Sequence, residues 1–349
     1  MYILHIPRIN ESEKPRFFGL GLPGARMDPI IRYVIRRILF MIPVFLGVTV
    51  LVFYMISAIG DPVQIMLAQV PNISQQQIEM VRNYFGMNLP VSTRYLTWLW
   101  GVMHLDFGVS IFKVQPVASL LTIYGIQTLK LQFASIAISL VISIFLAIAS
   151  TAYQYTKKDA VIMGSALLSR SIPAFWLGLI LILIFSYWLG IFPSHGAVSI
   201  EENLYGNQIL DELWHMVLPT LMLTSYNLPT FTLLLRSSMM DVSREEFILA
   251  SRASGLTKRT VIYKHTLRNA IIPLVAYVMY TFGIMIASSP VTETVFTWPG
   301  VGVLFVQAIT NLDYPVIMGV IVLLVVTVLF ASLIGDILYA IIDPRIKLQ

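Results

Sequence analysis

From Ile38 to Ile59 this chain carries no charged side chain. Crossing about 30 Å of hydrocarbon takes about 20 apolar residues in a helix, so the run has membrane-spanning length. Five further runs have comparable length: Leu131 to Tyr153, Ala174 to Phe192, Met216 to Leu235, Ala270 to Ala287 and Val316 to Ile342. Within a bilayer every backbone polar group must find a partner inside the protein, so these runs are predicted to be helices rather than open strands. Composition agrees. Only 12% of the 349 residues are charged, about half the share of a soluble domain. The expectation is an all-α integral membrane protein with about six transmembrane helices. Pro173 is expected to kink the approach to the third, from a mixed helical stretch that begins near Ala160. Pro219 and Pro229 lie in the fourth, and Pro273 near the start of the fifth.

The basic residues fall on alternate connections. Arg8, Lys14, Arg16, Arg26, Arg32, Arg36 and Arg37 precede the first run, and Lys157 and Lys158 follow the second. Arg236, Arg244, Arg252, Lys258, Arg259, Lys264 and Arg268 follow the fourth, and Arg345 and Lys347 close the chain. The other side has Arg82, Arg94, Lys113 and Lys130, in or beside the long loop Gly60 to Gln127. Two further outer loops carry only acids: Glu201, Glu202, Asp211, Glu212, Glu293 and Asp313. The positive-inside rule places both termini in the cytoplasm, which an even number of spans requires. The net charge of +5 therefore records membrane orientation rather than affinity for nucleic acid. Residues 1–26 have no apolar segment of the kind a cleavable signal needs; the stretch reads as a tail, with Met27 as an alternative start. In the long loop, Ser74 to Phe85 and Val91 to Met103 are predicted to form short amphipathic helices that cap the bundle.

Several chemistries are excluded by residue type. Without cysteine there are no disulfides, thiolate metal sites or cysteine nucleophiles. The five histidines (His5, His104, His195, His215 and His265) do not make an H-E-x-x-H pattern, and no Gly-Lys pair exists from which to build a nucleotide-binding P-loop. Nor is there a G-x-S-x-G elbow. No catalytic residue, metal or cofactor is expected on this chain. Arg170 and Asp336 sit toward the cytoplasmic ends of the third and sixth runs, where snorkelling or an Arg–Asp structural pair explains such charges. Gln132, Ser135, Ser225, Tyr226, Asn227, Tyr280 and Thr281 either line a path or pack helices together.

The most informative segment is cytoplasmic and runs from Ser243 to Leu267. Ser243 with Glu246 has the spacing of a capping box, predicting a helix over about Arg244 to Ser254. Gly255 suits the left-handed turn after it, and Thr257 suits the cap of a second helix leading into the fifth span. Small residues (Ala250, Ser251, Ala253, Ser254) allow another surface to approach closely. Pattern alone does not separate such an elbow from an ordinary basic loop that orients the protein.

Motifs in order along the chain separate them. Ile31-Arg-Tyr-Val-Ile-Arg-Arg-Ile-Leu opens the first span, and Gly60-Asp61-Pro62 follows it. Then come Asp106-Phe-Gly108 with Ser110, Ser171-Ile-Pro173-Ala-Phe-Trp-Leu-Gly178, and Arg236-Ser-Ser-Met. Glu293-Thr-Val-Phe-Thr-Trp298-Pro299-Gly300-Val-Gly302, Asp313-Tyr-Pro315 and Asp343-Pro-Arg345 complete the series. Together, from about Ile31 to Lys347, they resemble the B-type permease of ABC importers of the oligopeptide, dipeptide and nickel branch. The elbow resembles that family's EAA loop. It departs from the consensus by reading Leu249-Ala250-Ser251 and by having Arg268 where a proline follows Leu267, and Lys130 stands where the family has an acid.

The resemblance implies a type I ABC importer permease fold. The divisions are a cytoplasmic tail at 1–30, a first span plus outer loop at 31–130, a permease core at 131–342 with the EAA-like loop at 243–267, and a second tail at 343–349. It implies a multi-pass subunit of the cytoplasmic membrane. The expected partners are a second homologous permease, two ATPase subunits that hold ATP and Mg, an extracytoplasmic substrate-binding protein, and lipid. Glu245, Glu246, Ala250, Ser251, Arg252, Gly255 and Leu267 are the residues expected to couple to the ATPases. Peptides are the expected cargo, with oligosaccharides or nickel as alternatives on the same architecture. A secondary transporter would instead show inverted repeats or midplane ion-binding residues, and neither is visible.

Overall fold

The computed structural model describes residues 29–59, 74–84, 86–199 and 206–342. The Gly60-Asp61-Pro62 motif, both terminal tails, Glu201, Glu202 and Asp343-Pro-Arg345 lie outside the described residues. What is described is helical. The order is α1 (Pro29–Ile59), α2 (Gln75–Tyr84), α3 (Val91–Met103), α4 (Val117–Ala152), α5 (Lys157–Ser171) and α6 (Ala174–Trp188, its end Ile182–Trp188 a π-helix). There follow α7 (Gln208–Val242), α8 (Glu246–Ala253), α9 (Lys258–Ala270, with a π-helical middle Val261–Thr266), α10 (Ile272–Ser288), α11 (Pro290–Val295), α12 (Val301–Thr310) and α13 (Tyr314–Ile342).

By length and apolarity α1, α4 and α13 can each cross a membrane. Two more crossings arise if the bent pairs α5–α6 and α9–α10 each count as one. The fourth expected span, Met216–Leu235, is the remaining one and lies within the 35 residues of α7, which is less apolar than α1, α4 and α13. The cause is visible in its packing. Pro219, Thr220, Thr224, Asn227, Pro229 and Thr232 are all buried, so protein rather than lipid surrounds them. A helix enclosed by other helices can carry polar groups that a lipid-facing one cannot.

The bend at Pro173 is sharper than a kinked single helix: α5 and α6 meet at 97°. Proline lacks the N–H needed to continue the ladder, and its ring forces Ile172 into an extended conformation (φ −80°, ψ 126°). Pro273 sits in the first turn of α10, where its missing N–H costs nothing, and the chain bends by 46° between α9 and α10.

The two largest of four apolar clusters among the described residues hold the bundle. One joins α4, α7 and α10 through Ile136, Ala147, Phe231, Leu235, Met239 and Leu274. The other joins α4, α12 and α13 through Val117, Leu120, Val301, Leu304, Val316 and Val320. α1 stands apart, packed mainly on α13, with Leu39, Phe40, Leu51, Met55 and Ile59 exposed. Each such side chain in water forgoes about 1.5–3 kcal/mol. A continuous row of them is a lipid-facing surface.

Candidate functional site

α7 passes Leu235 and continues to Val242, so Ser243 ends a helix rather than beginning one. Its backbone is still helical (φ −64°, ψ −15°), and its hydroxyl donates to the Met240 carbonyl at 2.7 Å. The expected capping box with Glu246 does not form, because that hydroxyl is already committed backward. The next helix, α8, starts at Glu246 rather than Arg244, with Glu245 at its N-cap making no side-chain cap bond.

The end of α8 follows expectation. Gly255 adopts φ +78°, a conformation that costs glycine nothing. Its N–H donates to the Arg252 carbonyl at 3.1 Å, and Leu256 N–H reaches the Ser251 carbonyl at 3.4 Å. This pair of reversed bonds is a Schellman motif, which locks the chain direction after the helix. Thr257 then caps α9, its hydroxyl accepting from Thr260 N–H at 3.3 Å. Lys258 Nζ donates to the Ala152 carbonyl at 3.2 Å, tying the elbow to the end of α4. Beneath this tie lies a cleft of about 340 Å³, lined by Thr151, Ser243, Arg252, Lys258 and Thr266 among others.

The expected coupling residues divide by exposure. Glu245, Glu246, Ala250, Arg252 and Gly255 are exposed, whereas Ser251 and Leu267 are half-buried. The Ser251 hydroxyl turns back to the Phe247 carbonyl at 2.7 Å. Ile248 is the buried anchor of α8, which packs on α9. Around it Phe247, Leu249, Leu256 and Tyr263 point outward. The elbow is thus a capped, anchored lever that presents apolar side chains among charges.

Two turns before the elbow, Arg236 joins three helices. Its Nη2 and Nε lie 2.8 Å and 3.1 Å from the two carboxylate oxygens of Asp159 on α5. Its Nε also reaches Ser150 Oγ on α4 at 2.7 Å. Asp159 additionally accepts from the Ser150 hydroxyl and from Tyr155 N–H. A bidentate pair of this kind fixes direction as well as distance. Asp336 pairs with Arg37 of α1 at 2.8 Å, not with Arg170, which is exposed. Lys130 bridges α4 to Glu212 of α7.

At the opposite end of the bundle, three of the acids that the sequence places in outer loops, Asp211, Glu293 and Asp313, are buried. Glu293 accepts from Thr128 Oγ1 at 2.7 Å and from Gly302 and Val303 N–H at 2.7 and 3.1 Å. It therefore sits on the N-terminus of α12, where free N–H groups and the helix dipole favour an anion. Burial pushes its carboxyl up, and these donors oppose that. The carboxylate also explains the Trp298-Pro299-Gly300-Val301-Gly302 motif. A Cβ on Gly300 would lie 2.2 Å from the Glu293 carboxyl carbon, and one on Gly302 2.8 Å from Oε2 and 2.5 Å from Pro290 Cα. Trp298 is fully buried, its indole N–H donating to the Gln127 carbonyl at 3.1 Å.

Asp313 plays the matching part for Asp106-Phe-Gly108 and Ser110. It accepts from the Ser110 hydroxyl at 2.5 Å and from Ile111 and Phe112 N–H at 3.1 and 3.2 Å. Asp106 accepts from Gly108 N–H at 2.9 Å. The signal for both acids was their place in motifs, Glu293 before Trp298-Pro299-Gly300-Val-Gly302 and Asp313 in Asp313-Tyr-Pro315. Their partners, more than a hundred residues away in Thr128 and Ser110, were invisible in sequence.

Of the polar residues weighed as path-lining, Gln132, Ser135, Asn227 and Thr281 are buried in helix packing, Gln132 donating to the Met285 carbonyl at 3.1 Å. Tyr226 and Tyr280 are exposed, and Ser225 is half-buried. No cluster of three or more potential metal ligands occurs among the described residues.

The family described as "binding-protein-dependent transport system inner membrane component" matches residues 139–348, and its N-terminal companion matches 30–114. The oligopeptide transport system permease protein AppB of Bacillus subtilis is 40% identical over 321 residues, covering 90% of this chain and 99% of that protein. The dipeptide transport system permease protein DppB of Escherichia coli K12 is 32% identical over 337 residues, covering 91% and 99%. The glutathione transport system permease protein GsiC of Salmonella typhi is 33% identical over 319 residues, covering 91% and 99%. Among solved structures, the inward-facing MetNI methionine ABC transporter aligns with a TM-score of 0.53 at 21% identity, over 64% of this chain and 96% of that one. That likeness concerns the fold.

Proposed function

This chain belongs to the binding-protein-dependent transport-system inner membrane components, and from that membership we propose that it carries peptides through an ABC importer whose ATPase chains drive it at the elbow. It is a multi-pass inner-membrane permease subunit and not itself the catalyst. The partners proposed are a second homologous permease, two ATPases holding ATP and Mg, and a binding protein that delivers peptide to the outer face. Peptide is favoured over oligosaccharide or nickel as cargo by the named activities of the relatives, two of which carry oligopeptides or dipeptides and one glutathione.

The carrying observation is the elbow. An ATPase that closes on nucleotide must push on something stiff and exposed. α8 is closed behind by Gly255, with Thr257 capping the following α9, is held by Ile248, and offers Phe247, Leu249 and Ala250 outward. Displacement there passes directly into α7, whose 35 residues extend about 50 Å at 1.5 Å each. Arg236 passes it sideways to α4 and α5. Movement of these helices relative to α10 and α13 is the step that opens the path toward one side or the other.

The test uses the absence of native cysteine. Ala250→Cys, in the complete complex, is cross-linked to single cysteines in the ATPase with short reagents. Efficient capture that changes with nucleotide supports the reading, while capture only by the extracytoplasmic binding protein sinks it. The cargo is tested separately by identifying what the co-purified binding protein holds.

A further inference from the structure

The geometry points to α3 as a membrane-inserted helix whose face Leu96, Trp100 and Met103 lies in the hydrocarbon of the leaflet opposite the Arg37–Asp336 pair, with lipid acyl chains as its partner. Sequence alone treats this segment as part of an extracytoplasmic cap. Depth along α1 says otherwise. No charge occurs on α1 after Arg37, nor on α13 between Tyr314 and Asp336. These two residues pair at 2.8 Å and mark one boundary.

With a rise of about 1.5 Å per residue, Tyr314 lies about 33 Å from Asp336, close to one hydrocarbon thickness. The same rise puts Thr49 about 18 Å from Arg37, well inside that span. Thr49 is fully buried, and its hydroxyl pairs at 3.1 Å with that of Tyr95, in the first half of α3. A tyrosine hydroxyl is no farther from its helix than the side chain is long, so α3 passes this depth. Phe53, one turn along α1, is packed by Tyr95 and Trp98 with ring centroids 5.5 and 5.9 Å away.

The outward face of α3 fits that place. Leu96, Trp100 and Met103 follow the i, i+4, i+7 rule of one helical stripe and are 63%, 65% and 69% exposed. Of its polar residues, Ser92 and Thr93 are exposed in the first turn, Arg94 is half-buried over the Phe53 ring at 5.9 Å, and the exposed Thr97 hydroxyl donates to the Thr93 carbonyl at 3.0 Å. The end of α3, through Val102, also lines an apolar cavity of about 620 Å³, with Phe45, Leu105, Ile126 and Val326 among its other walls. The two hydroxyls at this cavity are already spent on their own helices: Thr122 donates to the Ala118 carbonyl at 2.8 Å and Thr327 to the Leu323 carbonyl at 2.6 Å. A wall that offers no free donor suits an acyl chain and is poor for a peptide or water.

The experiment places a nitroxide at Leu96→Cys, Trp100→Cys or Met103→Cys in the complete importer reconstituted in phospholipid nanodiscs, with Ser74→Cys as the aqueous reference. Collision with oxygen is compared with collision with a water-soluble nickel chelate. Lipid insertion predicts a several-fold higher oxygen-to-nickel ratio at the three stripe positions than at Ser74. Nickel access equal to that at Ser74 would show an aqueous loop, and protection from both relaxers would show a protein partner; either overturns the proposal. Trp100→Phe supplies a second readout on an unperturbed backbone. Brominated acyl chains should quench the tryptophan fluorescence of the parent chain more than that of this variant, and equal quenching counts against insertion.

Discussion

At the scale of single residues, the molecule depends on a few buried charges whose donors are supplied by distant segments. Glu293 leaves no room above Gly300 or Gly302, so a methyl there must displace a carboxylate or backbone. We expect Gly302→Ala to cost at least about 1–3 kcal/mol, the range for overpacking, and to lower the thermal midpoint of the purified complex. Gly47→Ala on α1 is the control, because a Cβ there meets nothing within 4 Å; equal midpoints for the two variants would contradict the assignment. Arg236→Met leaves Asp159 buried without its cation. Breaking a buried pair from one side costs about 3–5 kcal/mol, discounted here because Arg236 is partly exposed. The double variant Arg236→Met with Asp159→Leu should recover part of that loss. A double-mutant cycle on thermal stability measures the coupling, and strictly additive losses would argue against the pair.

At the scale of elements, the elbow is a case of local signals being right about ends and wrong about beginnings. Gly255 and Thr257 act within a few residues, so their roles were legible. Ser243 was misread because the helix before it runs on, and no local rule says where a membrane helix stops on the cytoplasmic side. Gly255→Ala forces a Cβ into φ +78°, at a cost of about 1 kcal/mol, small beside the stability of the bundle. Its consequence should appear in transmission instead. Peptide uptake by the reconstituted complex should fall more than the amount of complex assembled, while ATP hydrolysis becomes less responsive to the loaded binding protein. A fall in assembly alone would assign Gly255 a purely structural part.

At the scale of the whole molecule, α7 carries both the mechanics and the ambiguity. Its apolar run Met216–Leu235 is readable as a span, yet it buries Thr220, Thr224, Asn227 and Thr232 against other helices and is the helix that leads into the elbow. Its polarity follows from that enclosure. With no P-loop on the chain, energy must enter from outside it. The purified subunit should hydrolyse no ATP, and uptake into proteoliposomes should vanish when the ATPase chains are omitted. Turnover by the isolated chain would overturn the division of labour proposed here.

The membrane class, the positions of the apolar runs and their orientation were determined by the sequence alone, because hydrocarbon thickness and the positive-inside rule act on composition within one segment. The elbow's cap and turn were equally local. The tertiary structure decided which charges meet. Asp336 turns to Arg37 rather than Arg170, Lys130 to Glu212, Glu293 accepts from the distant Thr128, and Asp313 accepts from the distant Ser110, Ile111 and Phe112. These pairings depend on which helix faces which. Periodicity along one helix carries no record of its neighbour, so only the packed bundle could settle them.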